Sequence, residues 1–365
     1  MAIDFSTQRW QATRWNYEQW WAGSLARPLL NFTLKGCAAD RPEQKLPDHW
    51  LTAKYDLTIA AEAIVDRWDY NLGTQRFLGD AFPCVFPNFG PGVAAAFLGA
   101  RLDCGEDTVW FHAPEDREVG DLKFAFDPGN PWFRRIRELG RAAAERWGDM
   151  VQLQTTDLGG NLDLLATFRP AEKLLFDLYD HPEAVKARTW ELHDAWWKYH
   201  DALSAMRAAG TGYSAWANLY SREPYYMLQC DFSYMIGPEM FEEFVKPELA
   251  ATCRRLTNPF YHLDGPGQLA HLDSLLSIPE LKGIQWIPGA GAPKLEHWPE
   301  VFRKIRDAGK LIQVWSCEAE SDIGIIDVMS EQLGSAEGII VIGTIRPDQE
   351  REATALLEKY GACPA

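Results

Sequence analysis

Residues 259–293, PFYHLDGPGQLAHLDSLLSIPELKGIQWIPGAGAP, decide the fold. Phe260 and Tyr261 open an apolar run of strand character, and Gly265-Pro266-Gly267 ends it with residues that continue neither strand nor helix. His262 and Asp264 stand at the C-terminal edge of that strand. Residues two apart on an extended chain project to the same side, so imidazole and carboxylate emerge together where parallel α/β folds bind their ligands. A helix over 268–276 and a second apolar strand over 284–287 follow, and this strand also ends in Pro-Gly. Strand, loop, helix, strand, loop is the grammar of a β/α barrel, and it predicts that 260–263 and 284–287 lie side by side and parallel.

The same alternation extends in both directions. Residues 29–34 read as the first strand, 82–86 as a short buried one, and 151–156, 311–315 and 339–342 as further strands, with 213–218 and 227–231 β-like. Amphipathic helices fall between them, over 48–76, 131–147 and 298–308, with a break near His181-Pro182 in the long helical stretch that follows Phe168. Trp10, Trp15, Trp20 and Trp21 come near helical spacing and predict an N-terminal helical extension over 1–26 lying across the barrel. Residues 107–131 suggest a hairpin or lid. With no linker and no internal repeat, the expectation is α/β, a single (β/α)8 TIM-type barrel domain over 1–365.

Composition narrows the class. A chain of 365 residues with 47% apolar and 24% charged residues can bury a large core. A net charge of −16 without a basic stripe excludes nucleic acid and anionic membrane as general partners, because a phosphate backbone demands a cationic face. Seven cysteines, dispersed and without a CxxC pair, fit reduced thiols in a cytoplasmic protein. The first residues, MAIDFSTQRW, contain no apolar signal core, and no apolar run reaches membrane-spanning length. The 16 tryptophans mean either a large aromatic core or an aromatic-lined pocket.

Candidate site residues follow from the strand ends. His262 and Asp264 form an acid and base pair in which the carboxylate raises the imidazole pKa. Asp157, in Asp157-Leu158-Gly159-Gly160-Asn161, and Asp231 occupy comparable exits and join them as catalytic candidates. Asn88, in the Pro87-Asn88-Phe89-Gly90-Pro91-Gly92 loop that lets backbone approach a ligand, and Asn161 are candidate substrate contacts, as are Trp216, Trp286 and Trp315.

Several stretches together resemble one family. TTDLGGNLDLLATFRPAEKLLFDLYDHPEAV, DFSYMIGPEMFEEFVKPELA, FYHLDGPG and GIIVIGTIRP occur in the order seen in the uroporphyrinogen decarboxylase superfamily, over about Phe82 to the C-terminus. The resemblance implies a TIM-type barrel. It runs closer to the corrinoid-associated methyltransferase branch than to uroporphyrinogen decarboxylase itself, whose early R-x-A-G-R motif has no match here; Arg27-Pro28-Leu29-Leu30 offers one arginine at that place. That branch holds zinc through a His-x-Cys pair and a later cysteine. Here the first motif reads His262-Leu263-Asp264, the last strand exits through Gly343-Thr344-Ile345-Arg346-Pro347 without a cysteine, and Cys317 lies one strand earlier. The implied metal set is therefore His262, Asp264 and Cys317, with zinc as cofactor and a corrinoid protein as methyl acceptor.

The expected activity is methyl transfer from a small methylated substrate. The alternatives are a metal-free decarboxylase or lyase, with Arg27, Arg169, Arg222 and Arg346 available to bind an anion, and a ligand-binding protein that has lost its chemistry. A glycoside hydrolase would need a carboxylate pair at a suitable separation. Oligomeric state is not readable from the sequence.

Overall fold

The computed structural model describes residues 3–316 and 322–363. Its strands are β1 (Leu29–Lys35), β2 (Gln75–Gly79), β3 (Cys84–Val85), β4 (Arg101–Cys104), β5 (Val109–His112), β6 (Gln152–Leu153), β7 (Tyr225–Leu228), β8 (Asn258–Asp264), β9 (Gly283–Ile287), β10 (Leu311–Ser316) and β11 (Ile339–Ile345). A seven-stranded sheet runs in the order β2-β1-β11-β10-β9-β8-β7 and is parallel except at β2, which pairs antiparallel with β1. The predicted neighbours β8 and β9 are parallel, with Phe260 opposite Gly283 and Asp264 opposite Ile287. The chain is thus an α/β protein with a mostly parallel central sheet and helices around it. Apolar side chains from sheet and helices form one continuous core. Every residue of β9 is buried, as expected of a parallel strand covered on both faces.

Two features differ from the expectation. The helix predicted over 48–76 is confined to Ala61–Leu72, and the residues after it turn back as β2, so the sheet has an antiparallel edge. The ladder also does not run on from β7 into β6. Strands β3 and β6 contribute two residues each and pair only with one another. Buried amide side chains fill the interval. Gln152 accepts from the Gly212 N–H at 3.1 Å and donates to the Gly212 carbonyl at 3.1 Å, while Gln154 donates to the Ala215 carbonyl at 2.6 Å and to Asn218 Oδ1 at 2.7 Å. From the opposite side Gln313 donates to the Ala217 carbonyl at 2.7 Å, and Asn31 Nδ2 reaches the Asn218 carbonyl at 3.4 Å. Residues 214–218 therefore lie between these strands as an irregular segment whose carbonyls are satisfied by the Thr155 N–H, at 2.8 Å from the Ser214 oxygen, and by strand side chains, as buried backbone requires. Asn218 takes a left-handed conformation there, with φ of 54°.

The N-terminal helix Thr7–Trp21 closes one side with Trp10, Tyr17 and Trp20 buried, so these rings are core. Arg27 anchors it: its guanidinium makes two 2.8 Å bonds to the buried carboxylate of Asp80, which also accepts from Asn16 at 2.9 Å. The β4–β5 hairpin docks through Val109 on Gly90, whose φ is +85° and where a Cβ would lie 2.3 Å from that of Val109. Only glycine permits that approach.

Candidate functional site

Register sets the site. His262 lies opposite Gln285, and Gln285 opposite Gln313, so these side chains share the inner face of the sheet. Gln285 Oε1 is 2.5 Å from His262 Nδ1. An amide oxygen only accepts, so Nδ1 carries the proton and Nε2 is the nitrogen left toward the carboxylates. Asp264 Oδ2 is 3.8 Å from Nε2. Asp231 stands just beyond β7, at the start of the short turn Asp231–Met235. One ligand atom from each of Asp231, His262 and Asp264 falls within 4.8 Å of the others.

Asp231 is positioned by a residue that the sequence reading passed over. Asp163 Oδ2 accepts from the Asp231 N–H at 3.1 Å, and Oδ1 accepts from the Phe232 N–H at 2.7 Å. In sequence Asp163 is an acidic residue in the first turn of the helix Asn161–Phe168, a common place for one, and nothing local marks its bond to a distant loop.

The acids bias one another. Burial pushes Asp157 up to about 6, a hydrogen bond from the Gly159 N–H opposes this, and the charge of Asp231 adds to it. Burial and Asp231 carry Asp163 to about 7, against the two N–H donors. Asp231 is also raised, by burial first, with His262 opposing. For His262 burial works against the charged form, but Asp264, Asp231 and Gln285 outweigh it and the net direction is up. These shifts couple Asp157, Asp231 and His262 at one end of the sheet.

Trp216, on the inserted segment, sets its ring edge-on to His262 at 4.9 Å and to Trp315 at 5.7 Å. Its Nε1 is buried with no partner among the described residues. Trp286 is different. It alternates with Gln285, points to the helical layer, is fully buried and packs on Trp298 at 5.2 Å, so its expected contact with a ligand is corrected to core packing. Asn88 folds back on its own loop, accepting from the Gly90 N–H at 3.0 Å, so the glycines there serve loop and hairpin packing. Asn161 is buried, and its Oδ1 has no partner among the described residues. Cys317 lies outside the described residues.

The arginines offered to an anionic substrate are engaged elsewhere. Arg27 holds Asp80; Arg169 is bound by Asp177 at 3.2 Å and Glu118 at 2.7 Å; Arg222 pairs with Glu18 at 3.2 Å, and Arg346 with Asp348 at 3.2 Å.

The site fits a divalent cation. One imidazole nitrogen and two carboxylates supply three ligands with a net charge of −2, Gln285 fixes the imidazole tautomer from behind, and zinc accepts such a set with a position left open. Bonds of about 2.1 Å place neighbouring ligand atoms about 3.0 to 3.5 Å apart, so the side chains would draw in slightly from the present 3.8 Å.

An α/β architecture with an acid and histidine cluster at the C-terminal ends of its parallel strands defines the class of the molecule. No protein-family model and no curated protein matches the chain by sequence. Among solved structures it is similar to a methyltransferase from Methanosarcina mazei, at 10% identity over 95% of this chain and 98% of that one, with a TM-score of 0.62. At that identity the likeness is one of fold. No helix among the described residues is long and apolar enough to cross a membrane.

Proposed function

We propose that the chain is a metal-dependent enzyme of the methyltransferase type, built on a single (β/α)8 barrel, which takes a methyl group from a small methylated substrate and passes it to a corrinoid protein. The observation that carries this reading is the convergence of Asp231, His262 and Asp264. These three would hold the metal, with zinc the first candidate. Bound there, a divalent cation would polarise the heteroatom that carries the methyl group or favour the thiolate of a thiol. The chain's own part is to present Nε2 of His262 through Gln285, to hold Asp231 in reach through Asp163, and to screen the site from water with Trp216 and Trp315. Asp157, raised to about 6, is the group suited to hold or release a proton beside the reacting atoms near neutrality.

A metal-free decarboxylase draws support from the raised His262 and Asp157. It lacks an anion anchor, since the four arginines considered for that role are committed to acids. The test is metal analysis of protein purified without chelators and reconstituted with zinc, followed by methyl transfer to a free corrinoid. About one equivalent of metal, lost in His262→Ala, supports the proposal. Less than about a tenth of an equivalent after reconstitution overturns its metal-dependent form.

A further inference from the structure

The two carboxylates of the centre come from separate stretches of chain, Asp231 from the turn after β7 and Asp264 from the end of β8. Like charges at that range repel, so their spacing has to be held from outside. Asp163 grips only the backbone of Asp231 and Phe232. The rest of the hold comes from the short helix Pro266–His271, set off from Asp264 by Gly265 alone, whose φ is +77°. Three contacts cross from 265–271 to the turn. His271 is fully buried, with Nε2 2.9 Å from the Ser233 carbonyl; a carbonyl only accepts, so Nε2 donates. Its ring stacks on Phe241 at 4.5 Å, which keeps it from swinging away. Gln268, also buried, hydrogen-bonds through its side chain to Asp231, and since an ionised carboxylate only accepts, the amide NH2 is the donor. The ring of Tyr234 lies on a floor of Gly265 and Gly267, where a Cβ on Gly267 would fall 2.6 Å from Tyr234 Cε2. Buried polar docking costs desolvation that apolar contacts would not, and it supplies direction: an amide aimed at a carboxylate fixes where that carboxylate points.

We propose that Gln268 and His271 are positioning residues that join the Asp231 turn to the Asp264 strand as one rigid unit and so set the spacing of the two carboxylates. Two buried glutamines then divide the work: Gln285 accepts from His262, Gln268 donates to Asp231, and each stands behind the group that would meet an ion. His271 anchors the backbone two residues beyond Asp231. Burial pushes its pKa down, so the imidazole stays neutral and keeps the Nε2 proton that the Ser233 carbonyl accepts. The effect on metal rests on the reading of Asp231, His262 and Asp264 as a metal centre; the join between the two segments does not.

Cobalt(II) titration and hydrogen exchange on the whole protein test it. Gln268→Leu nearly keeps the side-chain volume and removes the donor. It should weaken cobalt binding about 10- to 100-fold and change the visible absorption of the bound ion, with the unfolding midpoint of the metal-free protein little changed. In metal-free protein His271→Leu should speed exchange in 231–235 and 265–271 together, while 283–287 stays as in wild type. His271→Gln, whose amide N–H stands in for Nε2–H, should restore both the exchange pattern and the cobalt affinity, a rescue that a ring serving only as packing would not show. Wild-type cobalt affinity and spectrum in Gln268→Leu, exchange that rises in one segment only, or no rescue by His271→Gln overturns the assignment. Should His271→Leu fail to fold, Gln268→Leu and His271→Gln decide it. A wild type that binds no cobalt overturns the metal reading instead, and the coupled exchange alone then decides the join.

Discussion

Gln285 Oε1 accepts a hydrogen bond from His262 Nδ1 at 2.5 Å across two adjacent parallel strands. This bond decides which imidazole nitrogen serves the site, and its removal is the most direct check of the metal reading. Gln285→Leu leaves a buried ring free to rotate or change tautomer. It should lower metal affinity about 10- to 100-fold, measured by competition with a chromogenic chelator, whereas Gln285→Glu, which keeps an acceptor, should retain most of it.

Asp163 should behave as a positioning residue. Asp163→Ala strands two backbone N–H groups at Asp231 and Phe232, a loss of about 1 to 2 kcal/mol in denaturant unfolding. Metal affinity should fall with it, because Asp231 is no longer held. Asp163→Asn, which keeps one acceptor oxygen and turns an NH2 toward the other N–H, should restore only part of the stability. Equal losses in the two variants would contradict this role.

His262→Ala and Asp264→Asn should each cost about 10² to 10⁴ in turnover, the range for loss of an essential acid, base or ligand. Thermal stability should move little for Asp264→Asn, since that side chain is 42% exposed at the rim. Unchanged turnover in either variant would shift the chemistry to Asp157 and Asp231.

The pH dependence of stability has a definite sign. Asp157 is raised to about 6 in the fold, against an unfolded value of about 3.9. Between these values the folded protein binds more protons than the unfolded chain, so this residue's contribution to stability falls as pH rises from about 4 to 6 and stays low above that. At about 1.4 kcal/mol per unit, the full effect is about 2 to 3 kcal/mol. Metal-free Asp157→Asn should therefore exceed wild type in melting temperature at pH 8 and lose that advantage by pH 4 to 5. A constant difference across this range would show that the shift is absent.

The hairpin gives a steric prediction. Gly90→Ala places a methyl group against the Val109 side chain at a positive φ, and it should cost at least about 2 kcal/mol. Hydrogen exchange should rise selectively over 101–112.

Much of this architecture could be read from sequence where the signal is local. The β8–β9 pair and the projection of His262 with Asp264 follow from apolar runs, Pro-Gly stops and a period of two. The misreadings have long-range causes. Trp286 is one position out of phase with Gln285, and a strand buried on both faces offers no polar alternation to reveal its inner side. The tail of the predicted second helix became β2 because an edge of β1 was open to it. Asp163, Gln154 and Gln313 resembled ordinary polar residues because their partners lie 68, 61 and 96 positions away.

The segment 214–218 gives the molecule a seam. Along β8 and β9, cohesion is shared by a ladder of backbone bonds that no single side-chain replacement can cut, whereas past β6 the join to the interior segment is one backbone bond, from the Thr155 N–H to the Ser214 carbonyl at 2.8 Å, and a few amide side chains. A point mutation at Gln154 thus acts at a distance: it strips most of the side-chain half of that join and would loosen the loop that carries Trp216 to His262, and with it the reactive centre.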